Sequence, residues 1–511
     1  MNKKSLGTIP SEIIDFLLSP GGHSLLIKGE AGTGKTTLAL QLIEVLSDQQ
    51  PEYYLSTRVS DVALYNQFPW LKERVRNNQL LRAGMAFMRR SWIKEGERTG
   101  NTPEDVESET EVDRRELNRL EGQIEAGELG LEDEDPSTMH PDGSIVVELG
   151  SLLPELELAY DIVESNLPKK TLVVLDSVEA LAEHYGIPPN RIVNALQKDL
   201  VEKAGTNVIF VMETVERSHL DYLGDGVINL RNVVLGDHRV RTIDIEKLRG
   251  SIISNWRYLF TLDGGRVRVM DRNLDLSTIK LDRSAKGGLV KGRSSFGWSE
   301  LDRLFGGAPL GSLTLLEVGT GVPMDLLERV ELALVSEQLN NGRCVVWYPQ
   351  RTLDHRALPS MIIQAGGPSA LDGLHVLDAS DVVDETNPFV KKLEGTDLAS
   401  DLRWDTLKFL MKGSKEPCAS IIGLDALESV YGTNVVPKLL QHIDAMRRGG
   451  HFVLLEGTDI SESLESLGHQ ARLHLRLENI NGSVVLRGIK PSTVYHCLEV
   501  EDGVPIWVPM L

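Results

Sequence analysis

The residues best suited to chemistry form one short glycine-rich segment near the start of the chain. Its sequence is Gly29-Glu30-Ala31-Gly32-Thr33-Gly34-Lys35-Thr36-Thr37. Glycines let the backbone curl so that successive amide groups point towards phosphate oxygens. The Lys35 ammonium can reach terminal phosphates, and the Thr36 hydroxyl can bind Mg²⁺. The alternative is a glycine-rich turn that binds nothing, but such a turn does not require glycine, lysine and threonine at this spacing.

Two elements must position this loop. The apolar residues 25–27 predict a buried parallel strand before it, and residues 38–46 predict a helix after it. This order is the context that a phosphate-binding loop requires. The start of the helix adds a partial positive charge, which favours an anion at the loop.

An acidic residue stands at the end of another predicted strand. Residues 171–175 are mostly apolar and are followed by Asp176, as expected for a central parallel strand. Ligands bind at the carboxyl ends of such strands, so Asp176 is predicted to hold Mg²⁺ through water. The alternative is that Asp176 caps the helix that starts at Ser177.

Charged residues also follow the later strands of the first half. The apolar strand 207–212 ends just before Glu213. The block 226–270 alternates in a way that predicts antiparallel strands added at the sheet edge. It carries Lys247 and Arg249, which the pattern alone explains as alternating charges on an exposed strand.

The second half repeats the pattern of strand, glycine loop and helix. Its loop reads Gly319-Thr320-Gly321-Val322-Pro323-Met324-Asp325. If Gly319 is aligned with Gly29, the positions of the first loop's last glycine, lysine and threonine hold Met324, Asp325 and Leu326. Because an aspartate repels phosphate, we expect no nucleotide in this half. Further buried strands are predicted at 344–348, 419–425 and 452–455.

The length of 511 residues predicts two or three domains. We expect a first domain at 1–282, a polar linker at 283–293 and a second domain at 294–511. Within the first domain, residues 94–142 form an acidic insertion with 17 acidic and 5 basic residues. Two interpretations of this insertion stay open, an exposed and partly disordered segment or an arm that docks a partner.

Composition limits the class of protein. The net charge of −21 works against non-specific binding to nucleic acid, and the three cysteines have no metal-ligand spacing. No apolar run reaches the roughly 18 residues needed to cross a bilayer, and the first ten residues lack the apolar core of a secretory signal. A cytoplasmic protein without a membrane partner is therefore expected.

Several stretches together resemble the RecA-like ATPases of the KaiC and gas-vesicle-regulator GvpD group. They are the phosphate loop, Asp176-Ser177, residues 225–234 and 241–251, and the opening of the second half at 297–307. The resemblance extends over nearly all of the chain. It implies an α/β fold of two tandem RecA-like P-loop NTPase domains, each a mainly parallel sheet with flanking helices, the second with a degenerate nucleotide site.

The resemblance implies ATP and Mg²⁺ as cofactors. Residues 29–37 would bind the nucleotide, with Lys35 also catalytic, and Thr36 and Asp176 would bind the metal ion. Members of the group assemble as rings, such as hexamers, with ATP between neighbouring subunits. In such a ring, Lys247 and Arg249 would reach the γ-phosphate on the adjacent subunit and stabilise charge during phosphoryl transfer.

One departure from the group concerns the general base. The KaiC-type pattern has a pair of glutamates just after the second strand, whereas Ser56 is here followed by Thr57-Arg58-Val59-Ser60. Slow hydrolysis of ATP, or binding without turnover, is therefore expected. Glu213 is the preferred base because it ends a central strand beside Asp176. The other candidates are Asp61, Glu179 and Glu216.

Three functions stay open. The preferred one is a nucleotide-dependent switch in signalling or transcriptional regulation, read by a protein partner. The second is a recombination-type ATPase that binds DNA, which the acidic balance disfavours. The third is a non-catalytic scaffold in which ATP is structural. The few cations available for DNA are Arg89, Arg90, Arg283, Lys286, Lys291 and Arg293.

Overall fold

The computed structural model describes two large parts of the chain and several shorter stretches. The described residues are 9–56, 66, 68–69, 80–82, 154–272, 274, 291–351, 353–354, 356–364, 371–378, 387–393, 395, 397–398, 417–432, 435–501 and 503–511. The chain divides into two compact units. The first comprises Met1–Asn232, Thr242–Arg257 and Gly264–Arg268, and the second comprises Val233–Arg241, Tyr258–Asp263 and Val269–Leu511.

The first sheet has nine strands in the order β3-β2-β4-β5-β1-β6-β7-β8-β9. Neighbouring strands from β3 to β6 pair in parallel. The strands are β1 (Ser24–Gly29), β2 (Glu52–Ser56), β3 (Leu80–Arg82), β4 (Leu172–Asp176), β5 (Asn207–Met212), β6 (Gly226–Leu235), β7 (His238–Leu248), β8 (Arg257–Thr261) and β9 (Arg268–Val269).

Helices connect the parallel strands of this sheet, as crossover connections require. The helices are α1 (Ser11–Leu18), α2 (Lys35–Leu46), α3 (Pro154–Asn166), α4 (Val178–Tyr185), α5 (Pro189–Leu196), continued by a π-helical stretch (Gln197–Lys203), and α6 (Leu220–Leu223).

The central strands are buried along their whole length. Every residue of β1, β4 and β5 is buried, which explains their nearly continuous apolar sequences. The register aligns the carboxyl ends of these strands, since Lys28 lies opposite Met212 and Asn229, and Asp176 lies opposite Val211. This edge of the sheet is where the first loop and Asp176 meet.

The second sheet has ten strands in the order β15-β14-β13-β16-β17-β12-β18-β19-β20-β21. Two hydrophobic clusters cover its opposite faces, one around Trp347 and Leu316, the other around Val346 and Leu315. The strands are β12 (Ser312–Val318), β13 (Val345–Tyr348), β14 (Leu374–Asp378), β15 (Val390–Lys392), β16 (Ala419–Gly423), β17 (Phe452–Thr458), β18 (Leu473–Ile480), β19 (Ser483–Lys490), β20 (His496–Glu501) and β21 (Val504–Pro509).

The remaining elements of the second half are helices and one small ribbon. The ribbon pairs β10 with β11 in antiparallel fashion. These elements are β10 (Arg293–Ser294), β11 (Ala308–Pro309), α7 (Ser299–Phe305), α8 (Met324–Asn340), α9 (Leu358–Gln364), α10 (Leu424–Tyr431), α11 (Val435–Arg448) and α12 (Leu464–Gln470).

The predicted α/β fold with two mostly parallel sheets and flanking helices is confirmed. The antiparallel additions begin one strand later than predicted. In each sheet, the first of the last four strands along the chain pairs in parallel with the strand that leads into the loop. In the first sheet β6 pairs with β1, and in the second β18 pairs with β12. In the second sheet β18 to β21 then pair in antiparallel fashion. In the first sheet, two residues join β6 to β7, a connection that suits only antiparallel neighbours.

Several predictions lie outside the described residues. The acidic insertion 94–142, the residues after β2 at 57–60, and Asp61 all belong to this group. The domain boundaries at 282 and 294 stay a prediction, because most of the linker 283–293 is also outside the described part. Among the described residues, every helix is too short or too polar to span a bilayer.

Candidate functional site

Five residues join the end of β1 to the start of α2. The last of them, Gly34, has a φ of 101°, a left-handed conformation that favours glycine. Gly29 faces a different constraint, because a Cβ added there would lie 2.5 Å from the carbonyl oxygen of Leu230. Both glycines are therefore required by the backbone path of the loop, as the sequence predicts.

Lys35 is the first residue of α2, and its side chain folds back into the loop. Its Nζ donates to the carbonyl oxygens of Gly29 at 2.7 Å and Glu30 at 2.8 Å. Lys35 is only 7% exposed. The ammonium is thus held inside the ring of backbone that the loop forms, where a phosphate would be the natural counter-ion.

Thr36 and Asp176 are joined across the sheet edge, although 140 residues separate them. The Thr36 hydroxyl donates to Asp176 Oδ2 at 2.7 Å, and the Tyr54 hydroxyl donates to the same oxygen at 3.1 Å. Burial and the nearby charge of Glu213 raise the pKa of Asp176, while Thr36, Tyr54 and Lys35 act to lower it. A hydroxyl beside a carboxylate is an oxygen donor set that suits Mg²⁺.

The alternative role for Asp176, as a helix cap, is wrong. The residue that caps α4 is Ser177, whose Oγ accepts a hydrogen bond from the Ala180 amide at 3.4 Å. Asp176 instead ends β4, and its carboxylate faces Thr36. Its carboxylate is therefore directed at the loop.

Glu213 follows β5 directly, near enough to Asp176 to affect its pKa. Its neighbour Glu179 has an anchoring role. Glu179 Oε1 accepts from the amides of Glu213 at 2.8 Å and Thr214 at 3.3 Å. Glu179 thereby fixes the backbone from which Glu213 projects. Glu216, the other candidate base of this segment, is exposed.

Lys247 and Arg249 lie at the end of β7, and both contact the segment between β5 and β6 in the same chain. Lys247 Nζ donates to the carbonyl oxygens of Asp221, Tyr222 and Gly224. Arg249 NH1 forms an ion pair of 2.6 Å with Asp225, yet the Arg249 side chain stays 62% exposed. Burial and the Arg249 charge lower the pKa of Lys247.

The loop of the second half also has five residues, at 319–323, between β12 and α8. Counted from the strand ends, Met324 takes the place of Lys35, and Asp325 takes the place of Thr36. The alignment on Gly319 is therefore off by one residue. The chemical conclusion is unchanged, because no cation stands at either position.

In the described part of the second unit, the register position of Asp176 is not held by an acid. Asp176 of β4 lies opposite Val211 of β5, and the next residue of β5, Met212, lies opposite Lys28. In the second unit, Gly423 of β16 lies opposite Glu456 of β17, and the next residue of β17, Gly457, lies opposite Glu317. Glycine thus occupies the position that holds the acid in the first unit.

One part of the site, and one contact beside it, were missed in the sequence. One is Tyr54, whose hydroxyl reaches Asp176 from the neighbouring strand β2. The other is the ion pair of Lys28 with Asp221, at 2.7 Å. The one available signal was the presence of a lysine inside an otherwise apolar buried strand.

The comparisons with known proteins agree with this geometry. Residues 13–249 match the family model described as GvpD gas vesicle protein, P-loop domain. This segment is therefore similar to the P-loop domain of GvpD proteins. The proteins GvpD2 and GvpD1 of Halobacterium salinarum are 24% and 22% identical to the chain, over 96% and 95% of its length and 93% and 92% of theirs.

The chain is also similar to a second kind of protein. The circadian clock oscillator protein KaiC of Picosynechococcus sp. is 25% identical over 60% of this chain and 51% of its own. The chain thus matches about half of the length of that KaiC. The resemblance to the KaiC and GvpD group, predicted from the sequence, is confirmed.

Proposed function

We propose that the chain is an ATP- and Mg²⁺-dependent switch whose nucleotide state a protein partner reads, with a role in signalling or transcriptional regulation. The observation that carries this proposal is the convergence of Lys35, Thr36 and Asp176 on one loop. An ammonium, a hydroxyl and a carboxylate at the start of a helix form the donor set that a triphosphate with a divalent cation needs. The similarity to GvpD and KaiC supports the regulatory assignment.

Each residue of the loop has a role in this proposal. Residues 29–37 bind the phosphates through backbone amides, and Lys35 neutralises their charge. Thr36 and Asp176 hold Mg²⁺, which supplies charge stabilisation to the phosphoryl group. Asp176 must be ionised for this, so the donors Thr36 and Tyr54 act against the effect of its burial.

Hydrolysis is proposed to be slow. Glu213 is the proposed general base, since it follows β5 and lies close to Asp176. Glu179 fixes the backbone of Glu213 through the contact of 2.8 Å. A switch benefits from slow turnover because its state must last long enough for a partner to respond.

The chain is further proposed to assemble with copies of itself, as a ring such as a hexamer. Arg249 supports this proposal because it is well exposed and held in place by Asp225. In the assembly, Lys247 and Arg249 of one subunit would act on the nucleotide of the next. The second unit is proposed to bind no nucleotide and to serve as a structural or partner-binding part.

DNA binding receives no support from the described residues. Of its candidate cations, Lys291 and Arg293 are described, and Arg293 NH1 donates to the carbonyl oxygens of Phe305 at 2.6 Å and Gly307 at 2.8 Å. Arg293 is therefore engaged within its own chain.

The proposal is tested by calorimetric titration of the purified protein with ATP and Mg²⁺, followed by measurement of its mass in solution. Lys35→Ala is expected to remove nucleotide binding and the ATP-dependent change in mass. Lys170→Met is the matched control, since Lys170 donates to the carbonyls of Leu17 and Ser19 rather than to the loop. Equal binding by wild type and Lys35→Ala would contradict the proposal. Binding without any change in mass would favour the scaffold instead.

A further inference from the structure

Lys28 is an ionisable side chain in an unusual place. It lies in β1 directly before Gly29, and its side chain is 0% exposed. Its Nζ donates to both carboxylate oxygens of Asp221, at 2.7 and 2.9 Å, and to the carbonyl oxygen of Glu216 at 2.7 Å. A buried charge with these partners is a specific contact, because removing one partner would leave an uncompensated charge.

Asp221 connects this lysine to a second one. Asp221 belongs to the four-residue helix α6, and its carboxylate also accepts from the Ser218 amide at 3.2 Å. Its backbone carbonyl accepts from Lys247 Nζ at 3.2 Å, and the carbonyl of Tyr222 accepts from the same ammonium at 3.4 Å. Thus α6 lies between a lysine at the phosphate loop and a lysine at the end of β7.

A similar set of side-chain contacts exists at the other end of β1. The Ser24 hydroxyl donates to Asp225 Oδ2 at 3.1 Å, and Asp225 Oδ1 pairs with Arg249 at 2.6 Å. Both ends of β1 are therefore joined, through acids of the segment 221–225, to the two cations Lys247 and Arg249. The two sets of contacts differ in position, since the one at Lys28 lies directly before Gly29, where the loop begins.

We propose that Lys28 is a positioning residue that, through Asp221, joins the phosphate loop to Lys247. The loop's occupancy on one subunit would then set the position of the cation that serves the neighbouring subunit. This inference rests on the proposed function, in which Lys247 acts on an adjacent subunit. A buried ion pair adds little net stability compared with apolar residues, so its value here is the fixed position that it imposes.

The test removes both charges at once, because a single substitution would leave one buried charge unpaired. The double variant Lys28→Met with Asp221→Leu is compared with Lys247→Ala and with the control Lys170→Met. Affinity for ATP and Mg²⁺ is measured by titration, and assembly is measured as mass against ATP concentration. The double variant is expected to bind ATP within about threefold of wild type but to need about tenfold more ATP to assemble.

Combination with Lys247→Ala separates positioning from general support of the fold. If Lys28 acts through Lys247, adding Lys247→Ala to the double variant produces no further loss. A double variant that assembles like Lys170→Met, or that adds its full loss to that of Lys247→Ala, overturns the inference while leaving the proposed function intact. A wild-type protein that binds ATP without assembling overturns both.

A milder variant keeps the test decisive if the double variant does not fold. Asp221→Glu retains the charge but displaces the carboxylate by one methylene. It is expected to raise the ATP concentration needed for assembly about threefold without changing ATP affinity. Wild-type assembly by Asp221→Glu together with an unfolded double variant would overturn the inference, since the ion pair would then be structural.

Discussion

The two loops of this chain have the same frame and opposite chemistry. In each half a buried strand is followed by five residues and then a helix. The helix after the first loop begins with Lys35 and Thr36, whose hydroxyl donates to Asp176, whereas the helix after the second begins with Met324 and Asp325. The comparison shows that two loops can share length and flanking elements yet differ in side-chain chemistry and in the backbone before the helix, where Gly34 has a φ of 101° and Pro323 a φ of −62°.

The second loop is stabilised by side chains of its own unit. The Thr320 amide donates to Asp459 Oδ2 at 3.0 Å, and Asn479 Nδ2 donates to the Gly321 carbonyl at 2.8 Å. A carboxylate of the protein therefore satisfies an amide in this loop. At Gly423, a Cβ would lie 2.5 Å from Gln350 Cα, so an acid cannot be placed there without moving the backbone.

The strands before the two loops carry charged residues of opposite sign. Lys28 pairs with Asp221, while Glu317, at the same distance from its strand end, contacts His474 at 3.0 Å and Arg476 at 2.9 Å. Burial favours a higher pKa for Glu317, but the His474 hydrogen bond and the Arg476 charge outweigh burial and lower it. The acid of the second unit is thus bound within its unit.

The largest expected effect comes from Asp176, the proposed metal-binding acid of the first unit. Asp176→Asn removes the charge that would hold Mg²⁺, so affinity for ATP in the presence of Mg²⁺ is expected to fall about 10- to 100-fold. Asp425→Asn, the same change near the corresponding strand of the second unit, is expected to leave this affinity unchanged. Titration of both variants with and without Mg²⁺ checks this difference. Equal losses of ATP affinity in the two variants would contradict it.

A second effect concerns the stability of the second unit. Glu331 and Glu456 are both buried, and burial raises the pKa of each, with their mutual proximity raising that of Glu456 further while Arg351 opposes this. A carboxyl group whose pKa is raised in the folded state contributes its full stabilisation below its unfolded-state pKa, near 4.5. This contribution is lost as the pH rises through the folded-state pKa.

Glu456→Gln removes this loss because glutamine does not ionise. The free energy of unfolding is expected to rise by on the order of 1 kcal/mol at pH 8 and to change little at pH 4. Chemical denaturation at the two pH values measures it. Glu44→Gln, at a partly exposed site of the first unit, is the control. A variant less stable than wild type at pH 8 would show that the buried carboxylate has a favourable partner.

A smaller effect is expected at Tyr54. Tyr54→Phe removes one hydrogen bond to Asp176 and is expected to weaken Mg²⁺-dependent ATP binding about fivefold. Because Tyr54 lowers the pKa of Asp176, the variant should lose Mg²⁺-dependent binding at a higher pH than wild type as the solution is acidified. Titrations across pH measure the shift. Tyr53→Phe is the control, and identical pH profiles for the two variants would contradict the role of Tyr54.

The smallest effect is expected from restoring the loop chemistry in the second unit. Met324→Lys with Asp325→Thr introduces the missing cation and hydroxyl. No second nucleotide site is expected, because Pro323 replaces the left-handed Gly34 and Gly423 replaces Asp176. Binding stoichiometry measures the outcome. Two sites per chain would show that the loop residues alone determine binding.

The sequence predicts where the local parts of the candidate site lie. The phosphate loop and Asp176 are recognisable because each is a short motif beside an apolar strand, and the comparisons confirm the family resemblance. The contacts of Tyr54 and Lys28 could not be predicted, since they join residues 122 and 193 positions apart. The one-residue error in the second loop arose because glycines were aligned, whereas strand ends set the frame.

The central claim is that one nucleotide site exists per chain and that it depends on Lys35. Calorimetric titration of the whole 511-residue chain with ATP and Mg²⁺, beside Lys35→Ala, tests this claim most directly. The account predicts one site per chain for the wild type and none for the variant. Two sites in the wild type, or one site that survives in Lys35→Ala, would contradict it.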